Sequence, residues 1–337
     1  MDELELIRQL TPEIPEDSDY WLVRTEGGTL FDPFVKNGCI SIGYPKITLR
    51  MIKAASDTST PEEALRSQVE KYYPEIERPG LVVSQLLRFT YLIRQGDYVI
   101  IPSASAESIA IGRVLEDEFV HKRLYLEDKL IPNFNKLKSV KWMRVASRQE
   151  INPNLYRLLN SHQAISFANE YAMWVDGLLY DFFRKGPDYH LLIDVQEMKG
   201  VKARTLFQGC LSLLDVSDKF CREARIKENS DEIETKISLN SPGVIELIGQ
   251  VATLMFVVGA IIVGLNGGAF RLTIRRLGID VELKTKGLIK SISEFLDSAR
   301  DRELKSVVRE KLESLKMRNP NEIVSIIRQI NEEDDHE

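Results

Sequence analysis

The fold is decided by the stretch YWLVRTEGG at Tyr20–Gly28, which is followed by CISIGY at Cys39–Tyr44. Residues in both stretches alternate as strand residues do, and glycines stand where the chain has to turn. The segment Gln85–Pro102 then predicts a helix, a turn at Gly96 and a strand buried on both faces. IAIGRV at Ile109–Val114 closes the pattern. This succession of short strands and helices predicts an α+β domain.

Taken in order, these motifs resemble the PUA-like, EVE-type domain at the N-terminus of Mrr-like restriction proteins. The resemblance covers about residues 19–145 and rests on the W-x-V-R and G-G motifs, the I-G pair at Ile42 and Gly43, the Q-x-x-R-F-x-x-x-I-x-x-G-D-x-V motif and I-G-x-V. It implies a small, strongly curved β-barrel with flanking helices. Such domains in that family are readers that accept a base or another small planar group in a pocket, and they are not catalysts.

A pocket that binds a planar ligand needs a ring for stacking and hydrogen-bond donors for the ligand's edge. Six residues within the resemblance offer these groups, and we expect them to line the ligand-binding site: Trp21, Arg24, Gln85, Arg88, Phe89 and Trp142. A second interpretation stays open, in which both kinds of residue have ordinary roles. The aromatic rings would then belong to the core, and the arginines would be solvated surface charges.

Composition limits the function classes. The chain has 337 residues, of which 43% are hydrophobic and 28% charged, so it is long enough for two or three domains with cores of their own. A net charge of −6 argues against broad, sequence-independent coating of DNA, which requires a basic surface. Three scattered cysteines and four histidines show neither a disulfide framework nor zinc-ligand spacing. We therefore predict no metal and no cofactor.

The chain divides by pattern into four parts. Residues 1–150 are predicted to form the PUA-like reader domain, 151–186 a helical connector, 187–286 an α+β module, and 287–337 C-terminal helices with an acidic tail. The first twenty residues are acidic and carry no apolar signal core, which predicts a cytoplasmic protein.

The segment Leu247–Phe270 contains no charged residue and has two interpretations. Its hydropathy is high enough to nominate a membrane-spanning helix. Basic residues follow it from Arg271 onward, however, and the positive-inside rule would then place the N-terminal two-thirds of the chain outside the cell. We predict instead a buried helix within 247–265, with Val251–Leu265 packed between strands at 237–239 and 270–274.

A weak catalytic signal lies at Glu197-Met198-Lys199, which matches the E-x-K half of a Mg²⁺-dependent nuclease site. Asp188 or Asp194 would be the preceding acid, since such a site needs two carboxylates for the metal and a lysine for the attacking water. The residues between Asp188 and Glu197 read as one continuous strand, whereas a nuclease hairpin would turn. We therefore assign no catalytic residue.

Three functions remain open from the sequence. The favoured one is a noncatalytic sensor or adaptor in prokaryotic defence, whose N-terminal domain binds a nucleobase, modified nucleic acid or nucleotide-like ligand. Its C-terminal helices would contact a protein partner. The alternatives are a restriction-type, metal-dependent nuclease and a membrane-acting effector that uses residues 247–265.

Overall fold

The computed structural model of the chain describes residues 3–197, 200–238, 243–267 and 287–334. The chain forms two compact units. The N-terminal unit is Asp17–Leu179, and the C-terminal unit combines Met1–Glu16 with Tyr180–Glu337.

Strands and helices alternate along the described residues. The strands are β1 (Glu13–Ile14), β2 (Tyr20–Val23), β3 (Cys39–Ile42), β4 (Tyr98–Pro102), β5 (Ser108–Val114), β6 (Val120–His121), β7 (Leu124–Leu126), β8 (Lys129–Ile131), β9 (Lys136–Ser147), β10 (Ile165–Phe167), β11 (Phe182–Lys185), β12 (Asp188–Val195), β13 (Glu234–Ser238) and β14 (Gly243–Gly249). The α-helices are α1 (Glu3–Leu10), α2 (Phe31–Asn37), α3 (Leu49–Ser56), α4 (Pro61–Tyr72), α5 (Pro79–Leu87), α6 (Tyr156–Leu159), α7 (Ala172–Leu179), α8 (Ala203–Glu223), α9 (Ala252–Leu265), α10 (Leu288–Asp297), α11 (Arg302–Leu315) and α12 (Asn321–Asp334).

The N-terminal unit is built on a sheet with the strand order β10-β2-β4-β5-β9-β3, and β6 pairs with β9. The sheet is curled into a half-barrel. Strands β2 and β4 are parallel, and their other neighbours in the sheet are antiparallel to them. The register of β5 on β9 shifts at Ile111 and Gly112. A bulge of this kind bends a strand, which fits the curl of the sheet. The predicted mixed α+β class is confirmed.

Residues beyond 150 complete the core of this unit. Ile165 of β10 pairs with Val23 of β2 and is buried. The buried Tyr20 hydroxyl donates a hydrogen bond to the buried Asp176 carboxylate of α7. Burial, followed by the nearby charge of Asp176, raises the pKa of Tyr20. Helix α7 and strand β10, which follow residue 150, therefore belong to the N-terminal unit.

The C-terminal unit contains a second sheet with the order β1-β11-β12-β14-β13. Strand β1 lies parallel to β11, and the remaining pairs are antiparallel. One edge of this sheet thus comes from residues at the start of the chain, although most of the sheet comes from residues after 180. The predicted helical connector at 151–186 is divided between the two units and contains β10 and β11, because pattern within a segment does not reveal which sheet a distant strand will join. The predicted boundary at 286 lies outside the described residues.

The apolar segment forms the buried helix that its sequence predicts. Every residue of α9 except Gly264 is buried. The helix packs against helices α8, α10, α11 and α12 and against strands β12 and β14. Gly259 allows α12 to pack closely against α9, because a Cβ at residue 259 would lie 2.7 Å from Ile323 Cγ1. Among the described residues, no helix is both long and apolar enough to cross a bilayer. The predicted partner strand at 270–274 and residue Leu239 lie outside the described residues.

The observed units predict different behaviour for two fragments. Residues 17–179 should unfold in one cooperative thermal transition, because this fragment keeps β10 and the Asp176 partner of Tyr20. Residues 17–150 should lose that cooperativity and bind the dye ANS, because removal of β10 exposes the edge of β2 and the surface that Ile165 covers. Circular dichroism with ANS fluorescence checks both fragments. A cooperative transition in the shorter fragment would restore the boundary predicted from sequence.

Candidate functional site

Trp21 lies in the core of the N-terminal unit. The side chain is 3% exposed, and its indole Nε1 donates a hydrogen bond to Asp97 Oδ2 at 2.9 Å. The ring also meets Phe167 in an edge-on contact with 5.1 Å between centroids. The same Asp97 carboxylate accepts hydrogen bonds from the backbone N–H groups of Asp19 and Arg94. Trp21 is therefore occupied by protein contacts on its polar edge and is not open to a ligand.

Three more of the predicted residues lie near the end of α5 or directly after it, and they contact other parts of the unit. Gln85 Oε1 accepts a hydrogen bond from the Ile165 backbone N–H at 2.6 Å. Arg88 Nη1 donates to the Ile165 carbonyl at 2.9 Å and to Gln163 Oε1 at 2.7 Å. Phe89 is fully buried. These side chains attach β10 and complete the core.

Trp142 is also engaged by the fold. Its Nε1 donates a hydrogen bond to the Phe34 carbonyl at 3.0 Å. Its ring covers the bulge at Gly112, where a Cβ would lie 2.7 Å from Trp142 Cε3. Glycine is required at that position because the indole and Val140 occupy the space of a side chain. Trp142 therefore packs against the core of the N-terminal unit.

Arg24 is the predicted site residue that lines a cavity of about 380 Å³ in the N-terminal unit. The parallel pairing of β2 and β4 creates this place, because the chain leaves both strands at the same edge of the sheet. The walls come from the turn after β2, the loop after β4 and the segment around α6. The lining residues are Arg24, Thr25, Gly27, Gly28, Pro102, Ser103, Ser105, Ala106, Arg148, Tyr156, Leu159, Asn160 and His162.

The two loops at the rim are closely packed and conformationally strained. A Cβ on Gly28, whose φ is +101°, would lie 2.2 Å from the backbone nitrogen of Ala104. Glu26, Ser105 and Ala106 are not glycines, yet their φ values are 47°, 52° and 52°. Left-handed conformations of such residues cost energy and concentrate at ligand clamps and active sites. The rim therefore combines a close backbone contact with three strained residues.

The cavity wall is rich in positive charge. Arg24 Nη1 donates a hydrogen bond to the Leu159 carbonyl at 2.7 Å, and Arg148 Nη1 donates to the Ser105 carbonyl at 3.1 Å. The Arg148 guanidinium lies over the Tyr156 ring, 4.8 Å from its centroid. No acidic residue is among the lining residues, and within the described part of the chain neither arginine forms an ion pair.

The structure thus separates the six predicted residues. It brings Arg24 to the cavity, whereas the other five have structural contacts elsewhere in the same unit. Sequence reasoning missed Arg148, Tyr156 and His162. Tyr156 and His162 lie in the segment that was predicted to be a connector, and Arg148 lies in the predicted reader domain but outside its motifs. The signal that pointed to this place was the Gly27–Gly28 pair, since a turn with two glycines permits close approach of other backbone or of a ligand.

Two lysines of β9, Lys136 and Lys138, are buried. Lys136 Nζ donates to the carbonyls of Gly43 and Tyr44, and Lys138 Nζ donates to those of Ile93 and Asp117. Burial lowers the pKa of each from 10.5 to about 8. Both ammonium groups use their donors to tie loops to β9, so we assign them a structural role.

The structure gives little support to a nuclease site at the E-x-K motif. Strand β12 runs without a break from Asp188 to Val195, a length of roughly 23 Å at about 3.3 Å per residue. Asp188 therefore cannot share a metal ion with Glu197, whose Oε2 lies 3.0 Å from Lys316 Nζ. Met198 and Lys199 lie outside the described residues, and the described ones contain no group of three or more His, Cys, Asp or Glu residues placed to hold a metal.

Comparison with known proteins gives one family. Residues 20–165 match a domain of unknown function, DUF8426. The match covers most of the N-terminal unit and ends at Ile165, the first residue of β10, so it agrees with a unit that extends beyond residue 150. No curated protein and no solved structure matches the chain.

The first prediction from this geometry concerns Trp21→Phe. The substitution keeps a buried ring but removes the hydrogen bond to Asp97, so it should lower the free energy of unfolding by about 1–3 kcal/mol. Denaturant unfolding of the full chain measures this loss. Trp174→Phe is the control, since the Trp174 indole nitrogen has no hydrogen-bond partner in the described part of the chain. Unchanged stability in Trp21→Phe would contradict the structural role.

The second prediction concerns Lys138. Its pKa of about 8 in the folded chain lies below the ordinary value of 10.5, so the unfolded chain binds more protons between those pH values. The free energy of unfolding should therefore rise as pH rises through this window. Lys138→Met lacks this titrating group. The free energy of unfolding of the wild type minus that of the variant, measured by denaturant unfolding, should therefore increase from pH 8 to pH 10. A difference that stays constant with pH would show that Lys138 is not shifted.

Proposed function

We propose that this protein is a noncatalytic sensor or adaptor whose N-terminal unit binds a nucleobase, modified nucleic acid or nucleotide-like ligand. The observation that carries the proposal is the cavity at the carboxyl ends of β2 and β4, with its two unpaired arginines and its strained rim. Binding sites are concave, few in number and furnished with a small set of convergent polar groups. This cavity has those properties.

The chemistry of the wall suits a flat ligand with a polar edge. The Arg148 guanidinium over the Tyr156 ring forms a stack that a base can extend, because bases stack on both aromatic rings and guanidinium planes. Ser103, Ser105 and Asn160 line the same space and can donate to or accept from a base edge. These residues support recognition of a nucleobase.

The PUA-like, EVE-type resemblance is part of this proposal. The half-barrel curl and the motif order from Trp21 to Val114 support it, although the ligand contacts differ from those that the resemblance implied. The proposal includes prokaryotic defence as the setting and a cytoplasmic location, where a reader meets nucleotides and nucleic acids.

The C-terminal unit would pass the signal to a protein partner. The C-terminal helices α10, α11 and α12 pack around α9, so a change in their packing alters a large apolar core. The exposed Phe207 and Leu211 lie one turn apart on α8 and add an apolar patch that a partner could cover.

A single substitution tests the proposal. Tyr156→Leu removes the ring from the cavity wall, and we expect binding of the recognised ligand to weaken by roughly 1–3 kcal/mol, the usual contribution of a base-stacking ring. Titration calorimetry of the full chain against free bases, nucleosides, nucleotides and modified oligonucleotides provides the measurement.

Tyr125→Leu is the matched control for this experiment. Tyr125 is an exposed tyrosine of β7 in the same unit and does not line the cavity. Its replacement should leave affinity unchanged. Equal losses in both variants, or no binding of any of these ligands by the wild type, would contradict the proposed function.

A further inference from the structure

We infer that the cavity recognises a phosphate monoester, so that its ligand is a nucleotide with a terminal phosphate rather than a neutral base or an internal segment of a strand. This inference rests on the proposed function and specifies the chemical class of the ligand. It follows from the charge, the anchoring of the arginines and the size of the cavity.

The charge of the cavity is opposite to that of the chain. The whole sequence has a net charge of −6, yet the lining residues include two arginines and a histidine and no acid. A guanidinium is always protonated and presents donors in a fork that matches phosphate oxygens. Two such groups beside one cavity, without carboxylates as partners, require an anion to balance them when the ligand excludes water.

Both guanidiniums are held in place before a ligand arrives. Each uses one nitrogen for a backbone carbonyl, Leu159 for Arg24 and Ser105 for Arg148. The other nitrogens carry further donors that these bonds do not use. An arginine that is already oriented loses less conformational entropy when it binds phosphate. The anchors therefore prepare the pair for an anion.

The number of charges favours a monoester. A phosphate monoester carries about −1.5 to −2 charges at neutral pH, whereas each phosphate within a strand carries one. The positive charges of two arginines balance the charge of a phosphate monoester. A terminal phosphate also exposes three oxygens, which allows two guanidiniums to bind it at once.

The size of the cavity favours a small ligand. Its volume of about 380 Å³ lies near the lower end of the 300–1,000 Å³ that ligand pockets occupy.

Calorimetry of the full chain tests the inference with defined probes. These are the four common nucleoside 5′-monophosphates, the corresponding nucleosides, inorganic phosphate, and one short oligonucleotide with and without a 5′-phosphate. We expect at least one monophosphate to bind roughly 10–100-fold more tightly than its nucleoside, as hydrogen bonds between charged groups imply. The 5′-phosphate should likewise strengthen binding of the oligonucleotide if its end enters the cavity.

Arg148→Gln removes one charge from an exposed residue that the fold does not bury. It should weaken binding of the monophosphate roughly tenfold or more, and weaken binding of the nucleoside by a clearly smaller factor, because the nucleoside loses only the stacking contribution of the guanidinium. Arg157→Gln is the control, because Arg157 is exposed, lies next to Tyr156 in sequence and does not line the cavity. This control should bind both probes as the wild type does.

The possible failures are distinguishable. Equal affinity for nucleoside and monophosphate would overturn the inference while leaving the proposed function in place. Inorganic phosphate that binds as tightly as the nucleotide would also overturn it, since the nucleoside part would then contribute nothing. An oligonucleotide that binds equally tightly with and without its 5′-phosphate would also overturn the inference. Absence of binding to every base-containing probe would contradict the proposed function itself.

Discussion

The N-terminal unit depends on the parallel pairing of β2 and β4, which the buried Asp97 carboxylate holds at its start. Asp97 accepts hydrogen bonds from the Trp21 indole and from the backbone N–H groups of Asp19 and Arg94. Burial raises the pKa of Asp97, and these three donors oppose that effect. Because the strands run in the same direction, a constraint at their beginning also fixes where both end. At that end Thr25 donates to the Pro102 carbonyl, and the two rim loops meet.

The candidate site follows from this arrangement. Antiparallel strands would have sent the turn at Gly27–Gly28 and the loop at Ser103–Ala106 to opposite edges of the sheet. In this unit they lie together, and their contact at Gly28 is too close for any side chain. The third wall, which includes Tyr156 and Arg148, comes from the end of β9 and the segment after it. One long-range strand pairing therefore assembles residues from three distant parts of the sequence.

Local pattern was sufficient for some elements and insufficient for others and for the site. Segment 151–186, predicted as helical, contains β10 and β11, and residues 247–249 of the predicted apolar helix belong to β14. The alternating stretch at Tyr20–Val23 predicts β2, and the uncharged run around Val251–Leu265 predicts the buried helix α9, because each signal lies within the element itself. The aromatic and arginine residues gave no such signal, since a strand pattern does not tell whether a tryptophan faces a ligand or a carboxylate 76 residues away.

Long-range contacts also explain the other differences from the sequence-based predictions. At the start of helix α12, the backbone N–H groups of Asn321 and Glu322 donate hydrogen bonds to the Asp181 carboxylate, which lies 140 and 141 residues earlier in the chain. Strand β1 joins a sheet whose other strands lie beyond residue 180. Such partners are chosen by packing and by hydrogen-bond satisfaction in the folded chain. A single sequence therefore predicts that a strand forms, but it does not predict which sheet the strand joins.

The central claim is that ligand binds in the cavity between the turn after β2 and the loop after β4. The most direct test is a crystal structure of the full chain grown with the nucleoside monophosphate that binds it most tightly. The account predicts electron density for the phosphate against Arg24 and Arg148 and for the base beside Tyr156. Density at another place, such as the depression lined by Lys53, Tyr91 and Arg94 in the same unit, with the predicted cavity empty, would contradict it.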